Sequence, residues 1–209
     1  MAEITVVGGI KIDIEGSPFQ KLTYEDSNPG QVTMAYGGVG RNITENIART
    51  GGNVAMISVI GDDYMGQGAK RELEQLGVDV HGIETIKGRN SAMYLSILNH
   101  NRDMELALCD MDILEHLTGE TIDKHLRFLR NSKVVALDGN LDEELLSNTV
   151  GKLDGVKLFF DPVSSKKAIK AKKHIGRFYA IKPNKLEAEV LSGMSIENED
   201  DLRSAAAWF

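Results

Sequence analysis

Three observations predict an α/β fold with a mostly parallel central sheet. Short β-branched runs alternate with helix-period segments, glycines stand where those helices should stop, and two stretches interrupt the rhythm with hairpin patterning. The alternation is βαβ logic, because parallel strands need a crossover and a helix is the usual one.

The elements follow in chain order. Ile4 to Val7 is a short apolar run of the buried-strand kind, and Gly8-Gly9 ends it. Residues 12 to 36, rich in turn formers such as Asp26-Ser27-Asn28-Pro29-Gly30, read as an antiparallel hairpin inserted into the frame. Asn42 to Arg49 is the first helix, with Gly51 as its C-terminal stop. Val54 to Ile60 is the second core strand, and Tyr64 to Leu76 is a helix stopped by Gly77. Residues 91 to 108 form a second hairpin, Met93 to Leu98 and Met104 to Leu108 flanking Asn99 to Asp103. Val134 to Leu137, Val156 to Phe160 and Tyr179 to Ile181 are further strands, while Asp142 to Leu153 and Lys185 to Leu191 are helices, the latter stopped by Gly193. The helix expected over Glu199 to Phe209 reaches Trp208-Phe209 with no stop signal after it.

Composition narrows the function. The 209 residues carry 24 Lys plus Arg against 31 Asp plus Glu, a net charge of -7, which gives no general attraction to nucleic acid or to an anionic membrane. Neither is expected as a partner. Cys109 is the single cysteine, so an internal disulfide is excluded and a reducing, cytoplasmic setting is expected. Its neighbour Asp110 disfavours the thiolate, and the residue reads as a packing position. The five histidines are scattered without metal-ligand spacing and read as solvated.

The stretch Gly37-Gly38-Val39-Gly40-Arg41-Asn42-Ile43-Thr44 carries the most chemistry. Glycines let the backbone approach a ligand, and the N–H groups of the helix that follows face polar oxygens. It is neither a G-x-G-x-x-G nor a G-K-[ST] phosphate loop. Gly37 and Gly38 offer backbone contacts, and Asn42 offers a donor and an acceptor to a hydroxyl. Asp13, just past the first strand, lies at the strand ends where such sheets bind ligands, and its carboxylate suits a vicinal diol; turn capping is the alternative. Asp161-Pro162 and Asp138-Gly139-Asn140 also end strands and divide between turn chemistry and ligand contact. Asn184 and Glu187 have the spacing of a capping box, which accounts for both residues, yet they also stand where a carboxylate reaches a hydrated Mg²⁺ and its phosphates.

The Gly37 to Thr44 stretch, with Gly51 and Gly61 at their spacings, resembles the first signature of the ribokinase-like (PfkB) sugar and nucleoside kinases, and the resemblance covers essentially the whole chain. Asp26 to Gly30, Gly38 to Asn42, Asp161-Pro162-Val163-Ser164 and Lys182 to Glu189 resemble the pseudouridine-kinase branch. The resemblance implies a three-layer fold with a small β-sheet lid built from the insertions at about 12–36 and 91–108, within a single domain over 1–209. It implies ATP-dependent phosphorylation of a ribosyl 5'-hydroxyl, with Asp13, Gly37, Gly38, Asn42 and Asn140 toward the substrate. Asn184, Glu187 and Asp161 fall toward the nucleotide, Glu187 meets Mg²⁺ through water, and a homodimer pairs through the lid. Ribose or another nucleoside is the alternative substrate, and a non-catalytic nucleoside-binding module is the alternative of another class. The family's second signature, a G-A-G-D turn that supplies an anion hole and an aspartate base, is not among these 209 residues. The expectation is therefore the N-terminal two thirds or so of a kinase, without a catalytic base and inactive alone.

Overall fold

A computed structural model of the chain describes residues 2–209. The central sheet has six strands: β1 (Ile4–Val7), β4 (Val54–Gly61), β5 (Asp79–Ile86), β8 (Val134–Asp138), β9 (Lys157–Asp161) and β10 (Ala180–Ile181). They run parallel in the order β10-β9-β8-β1-β4-β5, so the chain builds outward from β1 on one side and then returns to build on the other. The direction of winding reverses between β1 and β8. Crevices at such switch points, beyond the carboxyl ends of the strands, are where α/β sheets hold ligands.

Alternation along the strands divides the core. Val7, Ile57 and Leu137, in register across β1, β4 and β8, face one layer together with Ile122, Leu129 and Leu146. Val6, Met56 and Ala136 face the other with Ala69 and Leu73. Helices α3 (Gly119–Arg130) and α4 (Glu143–Lys152) supply the first layer, and α1 (Val39–Arg49) and α2 (Tyr64–Gln75) the second. Arg41, 4% exposed, ties the second layer together through ion pairs to Glu45 on its own helix and to Glu72 on α2 at 2.9 Å. The fold class is the α/β arrangement the sequence predicts.

The two hairpins form as expected: β2 (Lys11–Pro18) with β3 (Gly30–Gly37), and β6 (Met93–Leu98) with β7 (Met104–Asp110), both antiparallel. The sequence did not show their junction. β2 and β6 pair in parallel, giving one mixed sheet in the order β3-β2-β6-β7, separate from the central one. The other α-helices are α5 (Ser165–Ala168), α6 (Lys185–Ser192) and α7 (Glu199–Trp208), and 3₁₀ helices run over Asp112–His116 and Ile169–Arg177. Gly51, Gly77 and Gly193 take the left-handed conformation at φ 84°, 81° and 77°, the chain reversals assigned to them. Strand β5, helix α3 and the short helix α5 have no counterpart among the predicted elements. Among the described residues no helix is long and apolar enough to cross a membrane.

Candidate active site at the carboxyl edge of the sheet

Three loops meet at the switch point, and one carboxylate fastens them. Asp138, at the end of β8 and fully buried, accepts N–H bonds from Gly9 at 3.0 Å, Gly40 at 2.7 Å and Asn140 at 2.8 Å. Burial pushes its pKa up, against the pull of those three donors. The glycines are there because nothing larger fits. A Cβ on Gly8 would lie 2.7 Å from Asp138 Cγ, and one on Gly40 would lie 2.8 Å from the Gly8 backbone. Gly38, at φ 99°, is the N-cap of α1, where a side chain would run into the Gly9 carbonyl. Helix α1 therefore starts earlier than the sequence indicates: Asn42 lies within its first turn, and its N–H bonds Gly38 O at 2.8 Å.

The lid sheet brings a polar row over this loop. Asp13 pairs with Ala35 on one side and Tyr94 on the other, and Tyr94 pairs with Cys109, so these four share a face. Lys11, two residues before Asp13 on the same face, forms an ion pair with it and lies 4.8 Å from the centre of the Tyr94 ring. The Asp13 carboxylate rests against Gly37, where a Cβ would collide with it. The Asp13 side chain thus touches Gly37 and the Asn42 backbone bonds Gly38, while the Asn42 Oδ1 accepts from Arg41 Nη1 at 3.5 Å; among the described residues no hydrogen bond links Asp13 and Asn42 directly. Beneath the row is a cavity of about 270 Å³, whose walls include Gly9, Gly38, Tyr94, Cys109, Asn140 and Lys167. Cys109 is exposed here, which corrects the packing role; on an edge strand it faces the cavity rather than a core.

The other predicted residues lie along the same edge. Asp161 ends β9 in register with Asp138, accepts the Val163 N–H at 3.0 Å, and has Lys182 Nζ at 3.4 Å. Asn184 and Glu187 begin α6 with a complete capping box: the Asn184 side chain accepts the Glu187 N–H at 2.9 Å, and the Glu187 carboxylate accepts the Asn184 N–H at 2.8 Å and its amide at 2.9 Å. Glu187 is 3% exposed and both its oxygens are occupied, so direct coordination of Mg²⁺ does not fit. A water on a remaining lone pair is the contact left to it. Neighbouring strands are about 4.8 Å apart, so the three steps from β1 to β10 span about 14 Å. One edge therefore carries two polar groups: Asp138 with the loops it fastens at β1 and β8, and Asp161, Lys182 and the capping box at β9 and β10.

Sequence reasoning passed over Asp138 as a fastener and missed Lys11, Tyr94 and Lys167. Only the lid register reveals the first two, and only the loop after β9 places the third beside Asn140, whose Oδ1 accepts from Lys167 Nζ.

Comparison with known proteins agrees with the fold. The pattern of the pfkB family carbohydrate kinases matches residues 1–209. The chain is 36% identical over 206 residues to the pseudouridine kinase of Escherichia coli K12, covering 99% of this chain and 66% of that protein. A Clostridium perfringens structure described as a sugar kinase superposes with a TM-score of 0.89 at 32% identity, covering 100% of this chain and 66% of the other. A ribokinase of Arabidopsis thaliana, complexed with ribose and ATP, shares the fold with a TM-score of 0.82 at 17% identity, covering 99% and 67%. The chain thus spans about two thirds of the length of these relatives.

Proposed function

The chain belongs to the pfkB family of carbohydrate kinases, and from that premise we propose that its parent protein transfers a phosphoryl group from ATP to the 5'-hydroxyl of pseudouridine. The observation that carries the reading is the meeting of Asp13 and the α1 first turn on the Gly37-Gly38 loop, beside a cavity that the lid covers. An ionised Asp13 accepts two hydroxyl hydrogens, the Gly38 backbone approaches the ring without a side chain in the way, and Asn42 donates or accepts at a third hydroxyl. These contacts hold the pentose with its primary alcohol toward β9 and β10. The lid excludes water, which keeps the phosphoryl group for the alcohol.

ATP extends along the strand ends toward Asp161, Lys182 and Asn184, the donor being the one held by the Arabidopsis ribokinase of the same fold. Mg²⁺ supplies charge neutralisation on the phosphates when bound, and Glu187 reaches it through water. The catalytic base and the anion hole come from outside these 209 residues, which contain no G-A-G-D turn, and the chain alone is inactive. That same observation favours a second reading, a nucleoside-binding module without phosphotransfer. The reading frame after the Phe209 codon separates them: continuation through a glycine-rich turn with Asp supports the kinase, and a stop codon supports the module.

The outer face of the lid supports a homodimer. Val32, Met34, Leu106 and Leu108 are 73%, 49%, 58% and 62% exposed, an apolar patch on the side away from Asp13. Competitive phosphorylation of pseudouridine, uridine and ribose by the full-length protein tests the substrate. Preference for free ribose defeats the nucleoside assignment.

A further inference from the structure

The far end of the lid-covered cavity has a design that a sugar alone does not use. Lys167 Nζ donates to Asn140 Oδ1, which fixes the amide so that its Nδ2 faces Gly9, where a Cβ would stand 3.4 Å from it. Lys167 therefore presents only donors to the cavity, its two remaining N–H, while the Asn140 NH₂ is turned toward Gly9 and the Asp138 carboxylate. The walls between them are apolar: Ile10, Met111, Leu114 and Val163. A cavity with donors at one end and apolar sides fits a flat ring bearing acceptor oxygens, and it fits a ring of hydroxyls poorly.

The backbone holds this end in place at some expense. Val163 stands at φ 69°, and the Ser164 N–H closes a three-residue turn on Pro162 O at 2.8 Å, the strained hand of γ-turn, made worse by a β-branched side chain. The turn puts Val163 in the cavity wall and starts α5, from which Lys167 projects. Lys170, one turn on, donates to the carbonyls of Gly139 and Leu141, so the segment is fastened to the same loop that carries Asn140. Strain of this kind persists where the surroundings enforce it.

We propose that Lys167, oriented with Asn140, is the specificity residue that reads a ring carbonyl of the base joined to the pentose, and so selects an oxo-pyrimidine nucleoside over free sugar. The inference rests on the nucleoside reading above. An amino group in place of the carbonyl would meet donors with donors, so uridine should bind better than cytidine.

Cys109 lines the same cavity and is the chain's single cysteine, so its alkylation rate, read by mass spectrometry, reports occupancy without any need for catalysis. Alkylation of the 209-residue chain and of Lys167→Met is followed with pseudouridine, uridine, cytidine or ribose, alongside calorimetric titration. The expected result is protection of the wild-type chain by pseudouridine and uridine, with pseudouridine affinity falling about ten-fold or more in Lys167→Met, the worth of one hydrogen bond from a charged donor, while ribose affinity is unchanged. Lys167→Gln, which keeps N–H donors but loses the charge, falls between them and serves if the methionine variant fails to fold by circular dichroism. Pseudouridine affinity unchanged in both variants, or lost equally with ribose, overturns the role of Lys167 and leaves the nucleoside reading standing. Absence of binding by any nucleoside to the wild-type chain overturns both.

Discussion

Replacing Asp138 with Asn tests whether one carboxylate fastens the three loops of the site. The carboxylate accepts at both oxygens, Gly9 and Gly40 at Oδ2 and Asn140 at Oδ1, all backbone N–H groups. An asparagine has one acceptor oxygen. If it keeps Gly9 and Gly40, the Asn140 N–H faces an NH₂, and two buried donors lose their partners at about 1–3 kcal/mol each. The sum is about 2–6 kcal/mol, reduced by the relief of burying a charge, which leaves a net loss of about 3 kcal/mol against a typical total of about 5–15 kcal/mol. Urea unfolding followed by circular dichroism measures it. The pH dependence gives a second check. Burial raises the folded-state pKa of Asp138, so its contribution is fully present below the ordinary carboxylate value and is lost as pH rises through the raised one. The gap between wild type and D138N should therefore narrow as pH rises. A loss under about 1 kcal/mol, or a gap that widens with pH, refutes the fastening role.

Three other outcomes are expected. Gly38→Ala forces a side chain into φ 99°, with its Cβ 3.0 Å from the Gly9 carbonyl carbon, and should cost about 1–3 kcal/mol in thermal denaturation and abolish nucleoside protection of Cys109. Asp63 accepts the Gly66 N–H at 2.8 Å as N-cap of α2 and the Ser91 N–H at 2.6 Å; burial opposes its ionisation, but these donors and the Ser91 hydroxyl outweigh it and hold its pKa below the usual range. Its contribution is thus present above the ordinary value and lost as pH falls through the lowered one, so Asp63→Ala should cost about 1–2 kcal/mol at neutral pH and progressively less in acid unfolding. Leu108→Lys, on the outer lid face, should convert a dimer to a monomer in sedimentation velocity with little change in unfolding midpoint; an unchanged sedimentation coefficient excludes pairing through that face.

The sequence was most legible where the pattern was local. Val54 to Ile60 reads as a buried strand because it is apolar throughout, and every residue of β4 is buried. Strand β5 was not, since Asp79, His81 and Glu84 break the apolar run on a strand at the sheet edge. Helix α3 hides its apolar positions, Ile122 and Leu129, among charges. Within the candidate site, Asp13, Gly37, Gly38 and Asn42 were nameable from the glycine-rich stretch and from strand ends. Lys167 was not, because its partner Asn140 lies 27 residues earlier and no spacing links them. Asn184 and Glu187 were nameable from their spacing, and the capping box they complete accounts for both.

Strand β1 has a further meaning for how the polypeptide comes off the ribosome. It is made before both of its partners, Ile4 having Val54 on one flank and Val134 on the other, so its second edge stays bare until far more of the protein has emerged. Through that interval the nascent chain displays unpaired backbone beside an incomplete apolar layer, the state in which molecular chaperones bind and in which growing chains stick to one another. Arrival of β8 closes that edge of β1 and delivers Asp138 in the same event, so the crevice forms only once both flanks of β1 are paired.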